Sequence, residues 1–129
     1  MSTNLVLVWI DHVQAHIIHF NADTAETDII HTHSTHPHLH PKAGNVGAGR
    51  APEDTQYFDD IAAKLKDSLE ILIVGPGSEK LELMKYLLKH HDAIAQKVVS
   101  VETVGHPSDA QLLAYARIYF LKEIKPATI

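Results

Sequence analysis

Leu5-Val6-Leu7-Val8-Trp9-Ile10 is a continuous apolar run without a single polar position. An amphipathic element alternates or shows a stripe, whereas a short unbroken run of this kind fits a strand buried on both faces. A chain built on such a strand needs helices over both sides of its sheet. Asp11-His12 then supplies turn chemistry, and Ala15–Phe20 reads as a second strand. Asn21-Ala22-Asp23 is a second turn, and a third strand runs from Thr24 to about His33, with Ile29 and Ile30 as its apolar part. Three strands joined this closely form an antiparallel meander.

The character changes after the meander. Residues 34–50 hold two prolines, three glycines and no periodicity, a length of loop that usually carries function or is disordered. Pro52 suits a first helical position, followed by Glu53 and Asp54 at the positive end of the helix dipole. Tyr57, Phe58, Ile61, Ala62 and Leu65 recur at helical spacing, with Lys64 and Lys66 in the last turn. Ile71–Val74 is a further buried strand, ending at Gly75-Pro76-Gly77. Ser78 is placed to cap a second helix, whose apolar side is read as Leu81, Met84, Leu87, Leu88 and His91. Val98–Val104 is a fifth strand. Ser108 and Gln111 have capping-box spacing for a last helix that turns Leu112, Leu113, Ala116 and Phe120 inward.

The order β-β-β-α-β-α-β-α predicts an α/β fold of RNase H-like architecture. It is a mixed five-stranded sheet, a three-stranded antiparallel meander plus two parallel strands, with three helices and right-handed crossovers. The 129 residues fit one domain, taken as 1–129 with the long loop at 34–50. The absence of cysteine excludes disulfides, thiolate metal sites and cysteine nucleophiles. No apolar run approaches the ~20 residues needed to cross a bilayer, and no basic leader precedes the first strand. A cytoplasmic protein without membrane contact is the expectation.

Charge turns on histidine. The formal net charge is −5 with histidine neutral, but eleven histidines would carry it to +6 if all were protonated. A constitutively basic nucleic-acid binder, and DNA binding with it, is not what this balance suggests. Five histidines, His31, His33, His36, His38 and His40, fall within ten positions. In an extended segment His36, His38 and His40 point to one side and are candidate ligands for zinc, nickel or copper. A solvated loop with no ligand is the plain alternative.

Other candidates weigh towards structure. Asp11 near the end of the first strand invites a two-metal nuclease reading, but Val74-Gly75-Pro76 brings no carboxylate to the matching edge. A turn role is the stronger reading. Gly75-Pro76-Gly77-Ser78, between strand and helix, is a place for an anion, yet it lacks P-loop spacing and fits a steric turn. His16 and His19 differ by an odd number and face opposite sides of their strand. Both read as ordinary sheet-surface histidines, and no catalytic residue is assigned.

The run Ile71-Leu72-Ile73-Val74-Gly75-Pro76-Gly77-Ser78-Glu79-Lys80 resembles the fourth strand and following turn in the central domain of pelota and of archaeal and eukaryotic class I peptide release factors. The long loop after the third strand, and Val98-Val99-Ser100-Val101-Glu102 before a Gly-containing loop and a last helix, fit the same pattern. It is also similar to stand-alone bacterial proteins related to that domain. The resemblance implies a translation-associated module that faces the ribosome or tRNA through residues 34–50. Release factors carry Gly-Gly-Gln in that loop. Here the comparable stretch is Gly44-Asn45-Val46-Gly47-Ala48-Gly49-Arg50, and the nearest Gln56 falls in the predicted helix. The pattern is closer to pelota, and a non-catalytic RNA-binding role follows. Lys42, Gly44, Gly47, Gly49 and Arg50 are the RNA-contact candidates, through two fixed charges and close backbone approach. A tRNA-ester hydrolase with a degenerate loop and a metal-binding protein using His31–His40 are the alternatives. A homo-oligomer is left open.

Overall fold

The computed structural model describes residues 5–32 and 52–124. Within them the order is β1 (Leu5–Ile10), β2 (Gln14–Phe20), β3 (Ala25–His31), α1 (Pro52–Leu65), β4 (Glu70–Gly75), α2 (Glu79–His90), α3 (Asp92–Ala95), β5 (Val98–Thr103) and α4 (Asp109–Ile124). The strands form one sheet in the order β3-β2-β1-β4-β5. The β1–β2 and β2–β3 pairs are antiparallel, whereas β1–β4 and β4–β5 are parallel. The predicted architecture is therefore present, with α3 as a fourth helix that the sequence pattern did not separate from α2.

β1 sits at the centre because nothing in it needs water. Val6, Val8 and Ile10 face one core with Ala15, Ile17, Ile71 and Ile73, under Tyr57, Ile61, Leu65, Leu83 and Leu87 of α1 and α2. Leu7 and Trp9 face the other, with Ile18, Phe20, Leu72 and Val74, under Leu112, Ala116 and Phe120 of α4. The helical faces expected for α1 and α4 are those observed. The capping box of α4 also forms. The Ser108 N–H donates to Gln111 Oε1 at 2.9 Å, and the Gln111 N–H donates to Ser108 Oγ at 3.1 Å.

The reading of α2 requires correction. Leu83 and Leu87 are fully buried, whereas Leu81 and Leu88 are about half exposed, so the helix is rotated from the expected face. Lys80 shares the inner side, its stem buried and its ammonium donating to the Gly77 carbonyl. Ser78 does not cap through its hydroxyl; its carbonyl accepts the N–H groups of Leu81 and Glu82. His91 lies outside the helix at φ −141°, breaking the chain into α2 and α3.

Two tertiary bonds fix the ends of these elements. The Trp9 indole N–H donates to the Gly105 carbonyl at 2.8 Å, and the Tyr57 hydroxyl donates to the Asp11 carbonyl at 2.9 Å. Both act at the carboxyl edge of the parallel strands.

Candidate functional site

That edge is where the topology divides. After β1 the chain turns to β2 on one side, and after β4 it crosses through α2 to β5 on the other. Ligands of open α/β sheets bind in the crevice outside the strand ends at such a reversal. Here a cleft of about 320 Å³ opens, lined by Asp11, His12, Pro76, Gly77, Glu79 and His106. Beside it is a recess of about 170 Å³ lined by Trp9, Gln14, His16, His106, Pro107 and Leu112. His106 borders both.

Each lining side chain is placed by local structure. Asp11 Oδ1 accepts the N–H groups of Val13 and Gln14 at 2.8 and 2.9 Å, which makes it a turn residue as expected. The turn holds His12 above α2, with Nδ1 3.6 Å from Glu79 Oε1. His16 lies on the α4 side of β2, with Ile18 and Phe20, and its Nδ1 is 2.7 Å from Asp109 Oδ1 at the start of α4. The Trp9 ring has His16 at 5.6 Å on one edge and His106 at 5.3 Å on another. The Gly75–Ser78 turn is closed by Lys80 on Gly77, and Glu79 already stands at the positive end of α2. The steric reading of that turn fits these contacts better than an anion site does.

A second polar cluster lies away from the edge, between α1 and α2. Asp59 Oδ1 accepts the Tyr86 hydroxyl at 2.7 Å and lies 3.0 Å from His91 Nε2. The bonds from His91 and Tyr86 hold the Asp59 carboxyl below its ordinary 3.8. Burial first, and the bond to Asp59 second, push the Tyr86 phenol up to about 12. Asp59 thus stabilises the fold above its ordinary range, and that contribution is lost as pH falls through its lowered value. The Tyr86 contribution is complete below pH 10 and is lost as pH rises through about 12. In an alkaline absorbance titration Tyr86 ionises near 12, and Asp59→Asn moves it only part of the way towards 10.0, because the larger cause is burial. A Tyr86 transition unmoved by that substitution contradicts the assignment.

The sequence-predicted site residues distribute differently. His31 ends β3, exposed and opposite Gln14 in the ladder. His33, His36, His38, His40, Lys42, Gly44, Gly47, Gly49 and Arg50 lie outside the described residues. Among the described residues no group of three or more histidines and carboxylates has metal-binding geometry. The described chain leaves the sheet after Thr32, whose N–H donates to the Val13 carbonyl of the β1–β2 turn. It resumes at Pro52, one turn before the Tyr57 anchor on Asp11. Both flanks of residues 33–51 thus stand at the edge that carries the cleft.

The pairing of His16 with Asp109, and the place of His106 beside Trp9, escaped the sequence reading because nothing in local spacing links positions more than 90 residues apart. The available signal was parity. His16 shares the side of Ile18 and Phe20, the side on which the last helix must begin.

No family model matches the chain. A stretch of 51 residues, 37% of this chain, is 39% identical to the protein pelota homolog of Methanocella arvoryzae, and covers 14% of that protein. Among solved structures, Archaeoglobus fulgidus Pelota superposes with a TM-score of 0.65 at 16% identity, over 93% of this chain and 33% of that one. An archaeal translation termination factor gives 0.55 at 14% identity, over 95% of this chain and 35% of that one. The chain has the central-domain fold of pelota and the archaeal termination factor, and spans about a third of the length of either structure.

Proposed function

We propose that this chain is a translation-associated, non-catalytic RNA-binding module that engages the ribosome or tRNA through residues 34–50. The observation that carries the reading is the fold shared with pelota over nearly the whole chain, joined by the local sequence match to a pelota homolog. The position of the described flanks supports it, since Thr32 and Pro52 both stand at the sheet edge that carries the cleft. Lys42 and Arg50 supply phosphate contacts, and Gly44, Gly47 and Gly49 allow the backbone to approach.

Co-sedimentation with ribosomes, and filter binding of charged tRNA, test the reading with the full chain and a variant lacking residues 34–50. The full chain binds and the deletion loses at least about tenfold in affinity. With two fixed cations, the slope of log K against log salt is about −1.4 for a single strand. Equal binding by the deletion variant rejects the loop as the contact. Release of amino acid from charged tRNA by the purified chain rejects the non-catalytic assignment. Stoichiometric zinc, nickel or copper binding lost with His36, His38 and His40, without RNA association, favours the metal-binding reading instead.

A further inference from the structure

We propose that α2 is the interface of a weak homodimer, in which it packs antiparallel against α2 of a second copy of this chain across Leu81 and Leu88. The inference is independent of the translation-associated reading, because it uses neither residues 34–50 nor the cleft.

The helix carries two leucines that the core does not use. Successive residues of a helix are turned by about 100°, so the buried side of α2, formed by Lys80, Leu83 and Leu87, fixes the direction of the rest. Tyr86 lies on the flank towards α1, where its hydroxyl meets Asp59. Leu81 and Leu88 lie on the other flank, two turns apart, and are 50% and 55% exposed. Met84, partly buried against the core, stands between them and the buried side. One exposed leucine carries no message. Two on one stripe, continuous with a methionine that reaches the core, form a ridge of the kind one helix packs against another.

The charges beside the ridge select its occupant. Glu82, Lys85 and Lys89 are exposed along it, the acid in the first half of the helix and the bases in the second. A partner of uniform charge meets repulsion from one half, and a parallel second copy sets like against like. An antiparallel copy, about a two-fold axis at Lys85, sets Leu81 against Leu88 and Glu82 against Lys89 at both ends of the contact. Each Lys85 at the axis keeps Glu82 of its own chain, 3.9 Å away. Such a contact uses one patch twice, and α2 is complementary to itself in this sense. The opposed helix dipoles act in the same direction. A helix of 12 residues is about 18 Å long, so the buried area is below the standard size and the dimer is transient. Because α2 starts beside the cleft and runs to the opposite sheet edge, the pair points its two cleft edges away from each other.

Sedimentation equilibrium of the full chain, from about 1 to about 500 µM, tests the contact. The expected result is a monomer–dimer equilibrium with a dissociation constant on the order of 10 µM. Leu81→Gln combined with Leu88→Gln weakens it about tenfold, through the lost apolar burial. Ile118→Gln is the control, at a position 64% exposed on α4, across the sheet from α2, and it stays near wild type. Glu82→Lys and Lys89→Glu each weaken the dimer about threefold, and the two together restore it, because the pairs then re-form with their signs exchanged. Urea unfolding at about 1 µM, where the chain is monomeric, gives the leucine variant a midpoint near wild type, which separates loss of the contact from loss of the fold. A chain that stays monomeric throughout, a dimer unchanged in the leucine variant, a dimer abolished by Ile118→Gln, or charge reversals whose effects add overturns the proposal.

Discussion

Gly75→Ala destabilises this protein by about 3 kcal/mol, the upper end of the usual cost of overpacking. Gly75 ends β4 where it runs beside β1, and a Cβ built on it lies 2.3 Å from the Ile10 carbonyl oxygen. The obstructing atom belongs to the backbone of the central strand, so no rotamer change relieves the contact. Alanine restricts the unfolded chain and normally favours folding by about 0.4–1 kcal/mol at a compatible site. Here the clash wins, because relief requires β1 and β4 to separate and with them both cores. Gly77→Ala is the control, since among the described residues nothing lies within 4 Å of its Cβ position. Urea denaturation reads the contrast: the midpoint of Gly75→Ala falls with an unchanged slope, and that of Gly77→Ala stays near wild type. Equal midpoints for the two variants contradict the close approach. A lowered midpoint also reaches the cleft, because Gly75 leads directly into Pro76 and Gly77, which line it.

Leu83→Ala costs about 2–5 kcal/mol, whereas Leu88→Ala stays within about 0.5 kcal/mol. Leu83 is fully buried among α1, α2 and the sheet, so its truncation leaves a cavity as well as losing transfer energy. Leu88 is 55% exposed, and little apolar contact is lost with it. Helical periodicity had placed Leu88 inside and passed over Leu83. Denaturation midpoints of the two variants decide which face is buried, and a reversed order would falsify the observed rotation of α2. The source of the misreading is composition. α2 carries leucine at 81, 83, 87 and 88 with Met84 between, so more than one stripe satisfies the spacing. Lys80 held the correcting signal, because its long stem covers apolar surface on the same side as Leu83 and Leu87 while its ammonium reaches the Gly77 carbonyl.

The same division between local and distant determinants runs through the site. Asp11 was legible as a turn residue because its partners, Val13 and Gln14, follow it directly. The Ser108–Gln111 capping box was legible for the same reason. His16 was read as a surface histidine, yet it meets Asp109 across the α4 face of the sheet. His91 was read as the end of one apolar stripe, yet it leaves the helix and approaches Asp59. Side chains that answer to neighbours within a turn announce themselves in the sequence. Those that answer to another element do not.

By itself the sequence determined the order of the strands and of the three longer helices, the buried central strand, and the inward faces of α1 and α4. These follow from period, turn chemistry and the absence of polar positions in Leu5–Ile10, all of which act within a few residues. The tertiary structure alone decided which side of α2 is buried, that Gly75 must lack a side chain, and that His12, His16 and His106 gather around Trp9 and the cleft at one sheet edge. Those outcomes depend on strand order and on helices crossing a twisted sheet, which bring together residues from opposite ends of the chain and leave no trace in local spacing.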